Sequence, residues 1–309
     1  MRKLKLIALA LVAALAFPLS ACTPGGAPEV VGTGAETQLS FPGSEPPDGL
    51  KVWETEKGSG RVVAETDYVV ANYVGQVWGE KKAFDSSFQR GTATGFSLKQ
   101  VIKGWTQGLA GKKVGSKVIL SIPPELGYGE QGGNEQAGIG KDDTIAFYVE
   151  IVDAYGIDQA GDKDATVKVK DAELPVTIKG GLGEPVTLSI KKGQAEPKEA
   201  KLTVIAEGKG DEITEGATVY FQIAQVAWDG SATVSTYGEG GGPQYIALNS
   251  GQGATPLDGL VGVPTGSRVL FVTPKVAAPA GTESSGTTSD TPAVAYVIDV
   301  LGQTAPATK

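Results

Sequence analysis

The chain has 309 residues, room for about two domains, with Lys+Arg 27 against Asp+Glu 35, 44 Gly, 18 Pro, one Cys and no His. Without histidine, Ser-His-Asp, Cys-His and His-zinc chemistry cannot be written, and one cysteine builds neither a disulfide framework nor a thiolate metal site, so no metal or other cofactor is expected. A net charge of −8, with no basic run beyond Arg2, Lys3 and Lys5, argues against a nucleic-acid partner, whose phosphates need Lys and Arg to neutralise them.

At the N-terminus those three basic residues precede an apolar run from Leu6 to Phe17, which Pro18 ends. The run is too short to span a bilayer as a permanent helix and reads as the apolar region of a secretory signal. Leu19-Ser20-Ala21-Cys22 then resembles the bacterial lipoprotein signal. That resemblance implies cleavage before Cys22 and a diacylglyceryl group on its thiol, two chains being about the minimum for stable anchoring. The expected product is an extracytoplasmic protein held on the membrane by lipid: residues 1–21 are removed as signal, 22–32 form a lipid-anchored linker, and the charge falls from −8 to −11 with the loss of Arg2, Lys3 and Lys5.

Beyond the linker the sequence repeats itself. Gly58-Ser59-Gly60 returns as Gly208-Lys209-Gly210 and Gln76-Val77-Trp78 as Val226-Ala227-Trp228. Gly108-Leu109-Ala110-Gly111 matches Gly259-Leu260-Val261-Gly262, and Val114-Gly115-Ser116-Lys117-Val118 matches Thr265-Gly266-Ser267-Arg268-Val269. Phe147-Tyr148-Val149-Glu150-Ile151 corresponds to Tyr296-Val297-Ile298-Asp299-Val300, and Leu39-Ser40-Phe41 to Leu188-Ser189-Ile190. A near-constant offset held over these matches signals tandem duplication of a domain, because two copies do not make a solenoid. The copies span 33–156 and 173–303, joined by a polar linker at 157–172 and followed by a tail at 304–309.

Each copy is mostly β. Tyr68 to Val74, Lys117 to Ile122 and Thr144 to Val152 are short, rich in Val, Ile and Tyr, and bounded by Gly, Pro or Asp. One helix is expected in the first copy, Lys103 to Ala110, closed by Gly111. The fold class is α+β, an antiparallel sheet packed on a short helix.

In the first copy, Tyr68-Val-Val-Ala-Asn-Tyr-Val-Gly75, Phe84-Asp85-Ser86-Ser87, Val101-Ile102-Lys103-Gly104-Trp105, Gly108-Leu109, Val114-Gly115 and Ile122-Pro123-Pro124-Glu125-Leu126-Gly127-Tyr128-Gly129 together resemble the FKBP-type peptidyl-prolyl cis-trans isomerases. The likeness runs from about Gly49 to Asp153. It implies two FKBP-like domains, each a twisted antiparallel sheet wrapped around one short helix. It implies an isomerase acting on proline-containing polypeptides, with macrolide inhibitors as further ligands. Such chemistry suits a chain without histidine: rotation about an X-Pro bond needs no proton abstracted and no bond made, only an environment that favours the twisted imide.

Carried over by position, the resemblance puts Trp105 on the pocket floor, Tyr73, Phe84 and Phe147 on its walls, and Val101 and Ile102 on its rim. Asp85, Tyr128 and the backbone N–H of Ile139 fall where the family makes polar contacts. Read without the motif, the aromatics are ordinary core, Asp85 a turn aspartate and Tyr128 a loop tyrosine. The stretch from Phe96 to Val101 is about two residues shorter than the family pattern. The position of a further pocket aromatic then falls near Thr94, and Gly140 stands where proline is usual. A pocket open on one side is expected.

In the second copy the pocket positions change. Tyr73 is answered by Ile223, Phe84 by Val234, Asp85 by Ser235 and Trp105 by Pro256, with only Phe147 keeping an aromatic counterpart, Tyr296. This copy is expected to keep the fold without the activity. Trp228, Tyr237 and Tyr245 read as satellite core, with a partner surface as the alternative. The functional alternatives are a peptide-capturing chaperone with incidental isomerase activity and a structural envelope lipoprotein.

Overall fold

The computed structural model describes residues 26–43, 45–248, 256–277 and 290–305. The signal segment and Cys22 lie outside the described residues, and among those described no helix is long and apolar enough to cross a membrane.

The chain opens with a hairpin, β1 (Glu29–Val31) paired with β2 (Gln38–Ser40). Then come β3 (Lys51–Glu56), β4 (Tyr68–Val77), β5 (Ala83–Ser86), α1 (Ser87–Arg90), β6 (Thr94–Ser97), α2 (Lys103–Leu109), β7 (Lys117–Ile122) and β8 (Ile145–Tyr155). These strands form one antiparallel sheet in the order β3-β7-β8-β4-β5, with β6 also on β4. After β9 (Thr166–Val167) a second hairpin follows, β10 (Val176–Lys179) with β11 (Thr187–Ile190). Then come β12 (Lys201–Glu207), β13 (Thr218–Ala227), β14 (Thr233–Ser235), β15 (Gln244–Ala247), β16 (Arg268–Thr273) and β17 (Val294–Thr304). They pair in the order β12-β16-β17-β13-β14, with β15 also on β13 and β9 added outside β12.

The alternation of side chains along each strand splits every sheet into a front and a back. On β4, Val69, Ala71 and Tyr73 join the front core with Trp105, Leu120, Ile122, Phe147 and Val149. Val74 turns to the back with Ile119, Ala146 and Tyr148, where Leu39 and Phe41 from the first hairpin cover it. Buried Gln76 ties that hairpin down, accepting from the Leu39 N–H at 2.6 Å. The second hairpin covers the back of the second sheet in the same way, through Val176, Val186, Leu188 and Ile190. The Trp78 indole donates to Gly43 and the Trp228 indole to Gln194.

Helix α2 lies close on β7 because glycines face the sheet. A Cβ at Gly104 would stand 2.4 Å from Ile122 and one at Gly108 2.7 Å from Leu120. Gly111, at φ +81°, ends the helix by donating to Val63. In the second half the matching segment is a single 3-10 turn, Pro256–Leu260.

Several expectations need correcting. Residues 29–31, expected to be linker, are a strand paired with β2 and so belong with the first unit. The strand β17 includes Thr304, which the tail of 304–309 had claimed. The connection at 157–172 lies against the second sheet, with Asp162 N–H donating to Gly266 at 2.7 Å and β9 pairing with β12. A second helix, α1, was not foreseen. At four residues it is too short to show periodicity, and it forms because Ser86 caps it by accepting from Gln89 N–H. Strand register also moves one correspondence: Gly75 pairs with Asp85 as Gln225 pairs with Val234, so Val234, not Ser235, answers Asp85.

The two halves meet through tyrosines. Buried Tyr155 at the end of β8 lies 5.4 Å from Tyr220 on β13, and Tyr68 lies 6.1 Å from it. Gly302 makes room for this contact, since a Cβ there would fall 2.1 Å from the Tyr155 hydroxyl.

Candidate functional site

The front of the first sheet holds a cavity of about 460 Å³. Trp105, 4% exposed, forms its floor. It sits there because Gly104 presses α2 onto Ile122 and because the Thr106 hydroxyl donates to Leu98 at 2.6 Å, fixing the start of the helix. Around the Trp105 ring, edge-on, stand Tyr73 at 5.5 Å, Phe147 at 5.2 Å and Phe96 at 5.2 Å. Phe84 extends the wall beyond Phe147, 5.5 Å from it. These are favourable T-shaped contacts, each worth about 0.5–1.5 kcal/mol beyond burial. The cup is therefore rigid before anything binds.

Gly75 makes the wall possible. A Cβ at this position of β4 would lie 2.6 Å from both Phe84 and Phe147, so only glycine lets the two rings cross the strand.

Polar groups gather on one side. Asp85 on β5 accepts from the Tyr73 hydroxyl and from Arg90. Arg90 at the end of α1 also donates to the Tyr73 oxygen at 2.8 Å and to Thr94 at 3.3 Å, and its guanidinium stands 5.5 Å from the Tyr73 ring centre. Burial, with Asp85 as acceptor, pushes the Tyr73 phenol up to about 12. Tyr73 is thus a locked, neutral wall. Tyr128 projects from the loop after β7; burial, with the Asp85 charge adding to it, raises its phenol as well. Across the exposed rim Lys103 and Glu130 pair at 3.1 Å. Among the described residues no group of three or more His, Cys, Asp or Glu is placed to hold a metal ion.

Of the residues singled out from the sequence, the structure brings Tyr73, Phe84, Asp85, Val101, Ile102, Trp105, Tyr128 and Phe147 to this one cavity. Ile139 is not among its lining residues. Its side chain is buried in the core, and its N–H donates to Asn134 at 2.9 Å while its carbonyl accepts from Asn134. The expected polar contact from that N–H is therefore corrected: the donor is already engaged. The backbone N–H of Ile102 has no acceptor among the described residues, and Ile102 lines the cavity.

Of the site residues that sequence reasoning missed, Phe96 and Arg90 matter most. Phe96 fills the side expected to be open near Thr94, because β6 registers Phe96 against Val69 of β4 and so turns its ring to the front. The apolar residue two positions after Thr94 was the available signal. Arg90 was invisible because α1 was.

Residues 60–152 match the family model described as FKBP-type peptidyl-prolyl cis-trans isomerase. A probable FKBP-type peptidyl-prolyl cis-trans isomerase of Haemophilus influenzae is 47% identical over 96 residues, 31% of this chain and 39% of that protein. FkpA of Escherichia coli strain K12, an FKBP-type peptidyl-prolyl cis-trans isomerase, is 40% identical over 125 residues, 40% of this chain and 45% of that protein. An FK506-binding protein of Streptomyces anulatus is 39% identical over 120 residues, 37% of this chain and 94% of that protein. The chain spans less than half the length of the first two relatives and nearly all of the third.

Proposed function

The chain belongs to the FKBP-type peptidyl-prolyl cis-trans isomerase family, and from that premise we propose that it catalyses X-Pro bond rotation in the aromatic cup of the first sheet. The uncatalysed barrier is about 18–20 kcal/mol, because amide resonance must be broken. The cup lowers it without acid, base or nucleophile. Four rings with Trp105 beneath them take the proline and its imide out of water and into surroundings where the planar, polar ground state is less favoured. The Ile102 N–H and the Tyr128 hydroxyl stand ready to hold peptide carbonyls in the twisted geometry, and preplaced donors of this kind act on the transition state. The Asp85–Arg90 pair serves by fixing Tyr73 rather than by reacting.

The observation that carries the reading is the set of three rings, Tyr73, Phe96 and Phe147, standing edge-on to Trp105. The test is catalysis of isomerisation in a short capped X-Pro peptide, with a macrolide as competitor. Trp105→Ala is expected to lower kcat/KM on the order of thirty- to a hundredfold, about 2–3 kcal/mol of lost transition-state contact. Unchanged turnover in that variant, with its fold intact by circular dichroism, overturns the assignment.

The same reading extends to the rest of the chain. We take the second half to be a duplicated FKBP-like domain without isomerase activity; its strand order supports the kinship, and Ile223, Val234 and Pro256 at the pocket positions support the loss. Substrates are extended, proline-containing segments of secreted or envelope proteins. Attachment is through lipid on Cys22, which puts the enzyme outside the cytoplasmic membrane. Mass analysis of the N-terminal fragment tests this: a diacylglyceryl increment on Cys22 is expected, and a free thiol rejects it.

A further inference from the structure

Tyr245 on β15 was read from the sequence as satellite core, and the structure corrects this. At 63% it is the most exposed large hydrophobic side chain among the described residues. Its ring lies 6.3 Å from Tyr220, the residue that Tyr68 and Tyr155 pack against from the first half. Tyr245 therefore ends a row of rings that joins the two sheets, and it is held in place although it faces solvent.

Beside it runs a cleft of about 160 Å³ between the halves, walled by Tyr68, Ser97 and Gln100 on one side and by Pro243, Gln244 and Tyr245 on the other. Gln100 lines the aromatic cup as well, so the two cavities share a wall. No charged side chain lines the cleft, whereas the cup carries Asp85, Lys103, Glu125 and Glu130. Ser97 ends β6 and Gln244 begins β15; each of these strands pairs on one side only among the described residues, leaving a free edge. An extended segment can use such edges for backbone hydrogen bonds. The cleft is far below the roughly 300–1,000 Å³ of a site that holds a small molecule by itself. It fits the continuation of a chain already anchored next door.

We propose that this cleft is a second subsite for the polypeptide whose proline occupies the cup. A few residues to one side of the X-Pro bond run extended past Gln100, and an uncharged aromatic or aliphatic side chain packs on Tyr245. The inference rests on the isomerase reading of the cup and deepens it: the second half lengthens the substrate groove of the first.

The test uses the full chain with Tyr245→Ala and Tyr245→Phe. Turnover is measured on a capped X-Pro peptide of about four residues and in the proline-limited refolding of an unfolded protein. Binding of a fluorescent peptide of about twelve residues, with proline at its centre and Leu and Phe on its flanks, is followed by anisotropy. Tyr245→Ala is expected to leave the short peptide within about twofold, and to raise KM for the protein and Kd for the long peptide by about three- to tenfold, the range of one aromatic contact. Tyr245→Phe keeps wild-type values. Equal losses on short and long substrates, no loss on either, or a Phe variant that matches Ala overturns the subsite. Should the wild-type protein fail on the short peptide, the isomerase reading falls, and the anisotropy comparison still decides the cleft: equal Kd values for wild type and Tyr245→Ala reject it.

Discussion

On the first sheet Gly75 leaves space for Phe84 and Phe147 to cross the strand; at the same register position on the second sheet stands Gln225, paired with Val234 and Tyr296. Around this difference the two frames agree closely. Strand bulges fall at Val70/Ala71 and at Tyr220/Phe221. The Gly58 and Gly208 N–H groups each donate to a serine, Ser116 and Ser267, at 2.9 Å. A Cβ on either glycine would come within 2.3 Å of a carbonyl of the opposing turn. A backbone that approaches so closely tolerates only glycine, which explains why these positions recur while the pocket rings do not. Fold and site are thus carried by separate residues.

The frames also differ in how they hold charge. On the first sheet Lys117 pairs with Glu56 at the surface. The corresponding Arg268 is buried at 4% exposure against fully buried Asp299, with bonds of 2.7 and 2.9 Å. The Arg268 guanidinium also donates to the Gly181 and Glu184 carbonyls, pinning the loop of the second hairpin, and Tyr237 donates to Asp299. Removing one partner of a buried pair strands the other charge. Arg268→Met is therefore expected to cost about 3–5 kcal/mol in urea unfolding of the second half, while turnover of a short X-Pro peptide at 25 °C stays within about twofold. A parallel loss of that turnover would show that the first cup depends on the second frame.

The Gly75 contrast gives the next largest effect. Gly75→Gln, which copies the second sheet into the first, drives a side chain into Phe84 and Phe147; overpacking of this kind costs about 1–3 kcal/mol. It is expected to lower kcat/KM at least about tenfold. Gln225→Gly is expected to weaken β13 by about 0.5–1 kcal/mol and to create no turnover. If Gly75→Gln leaves activity unchanged, the rings do not form the working wall.

Much of this contrast was legible in the sequence because it rests on residues whose type is diagnostic. Glycines at close approaches and the strand pattern survive a reading by offset, while Trp105 stands out because Pro256 takes its place in the second copy. What was hidden depends on register and direction. Phe96 turns inward only because β6 pairs Phe96 with Val69. Arg90 reaches Asp85 only through a four-residue helix capped by Ser86. A motif told that Ile139 belongs near the site, yet not that its N–H is spent on Asn134. Three-residue β1 carries no pattern of its own and exists by pairing with β2.

The smallest effect concerns pH, and it follows from how Tyr73 is held. A phenol in water titrates near 10.0, whereas burial, with Asp85 as acceptor, pushes the Tyr73 phenol up to about 12. In the folded state the proton therefore stays on while the unfolded chain has already released it. Below pH 10 both states hold the proton and Tyr73 contributes its full stability. As pH rises from about 10 to about 12, the unfolded state binds fewer protons and stability falls. No histidine is present to titrate near neutrality, so kcat/KM on a short peptide is expected to be flat from about pH 6 to 9. Tyr73→Phe removes one phenol and should lessen the alkaline stability slope, the remainder being carried by other buried tyrosines such as Tyr155 and Tyr237, while leaving that plateau. An ionisation near pH 7 in the rate profile would mean that a proton moves in the rate-limiting step, and rotation by desolvation alone would be insufficient.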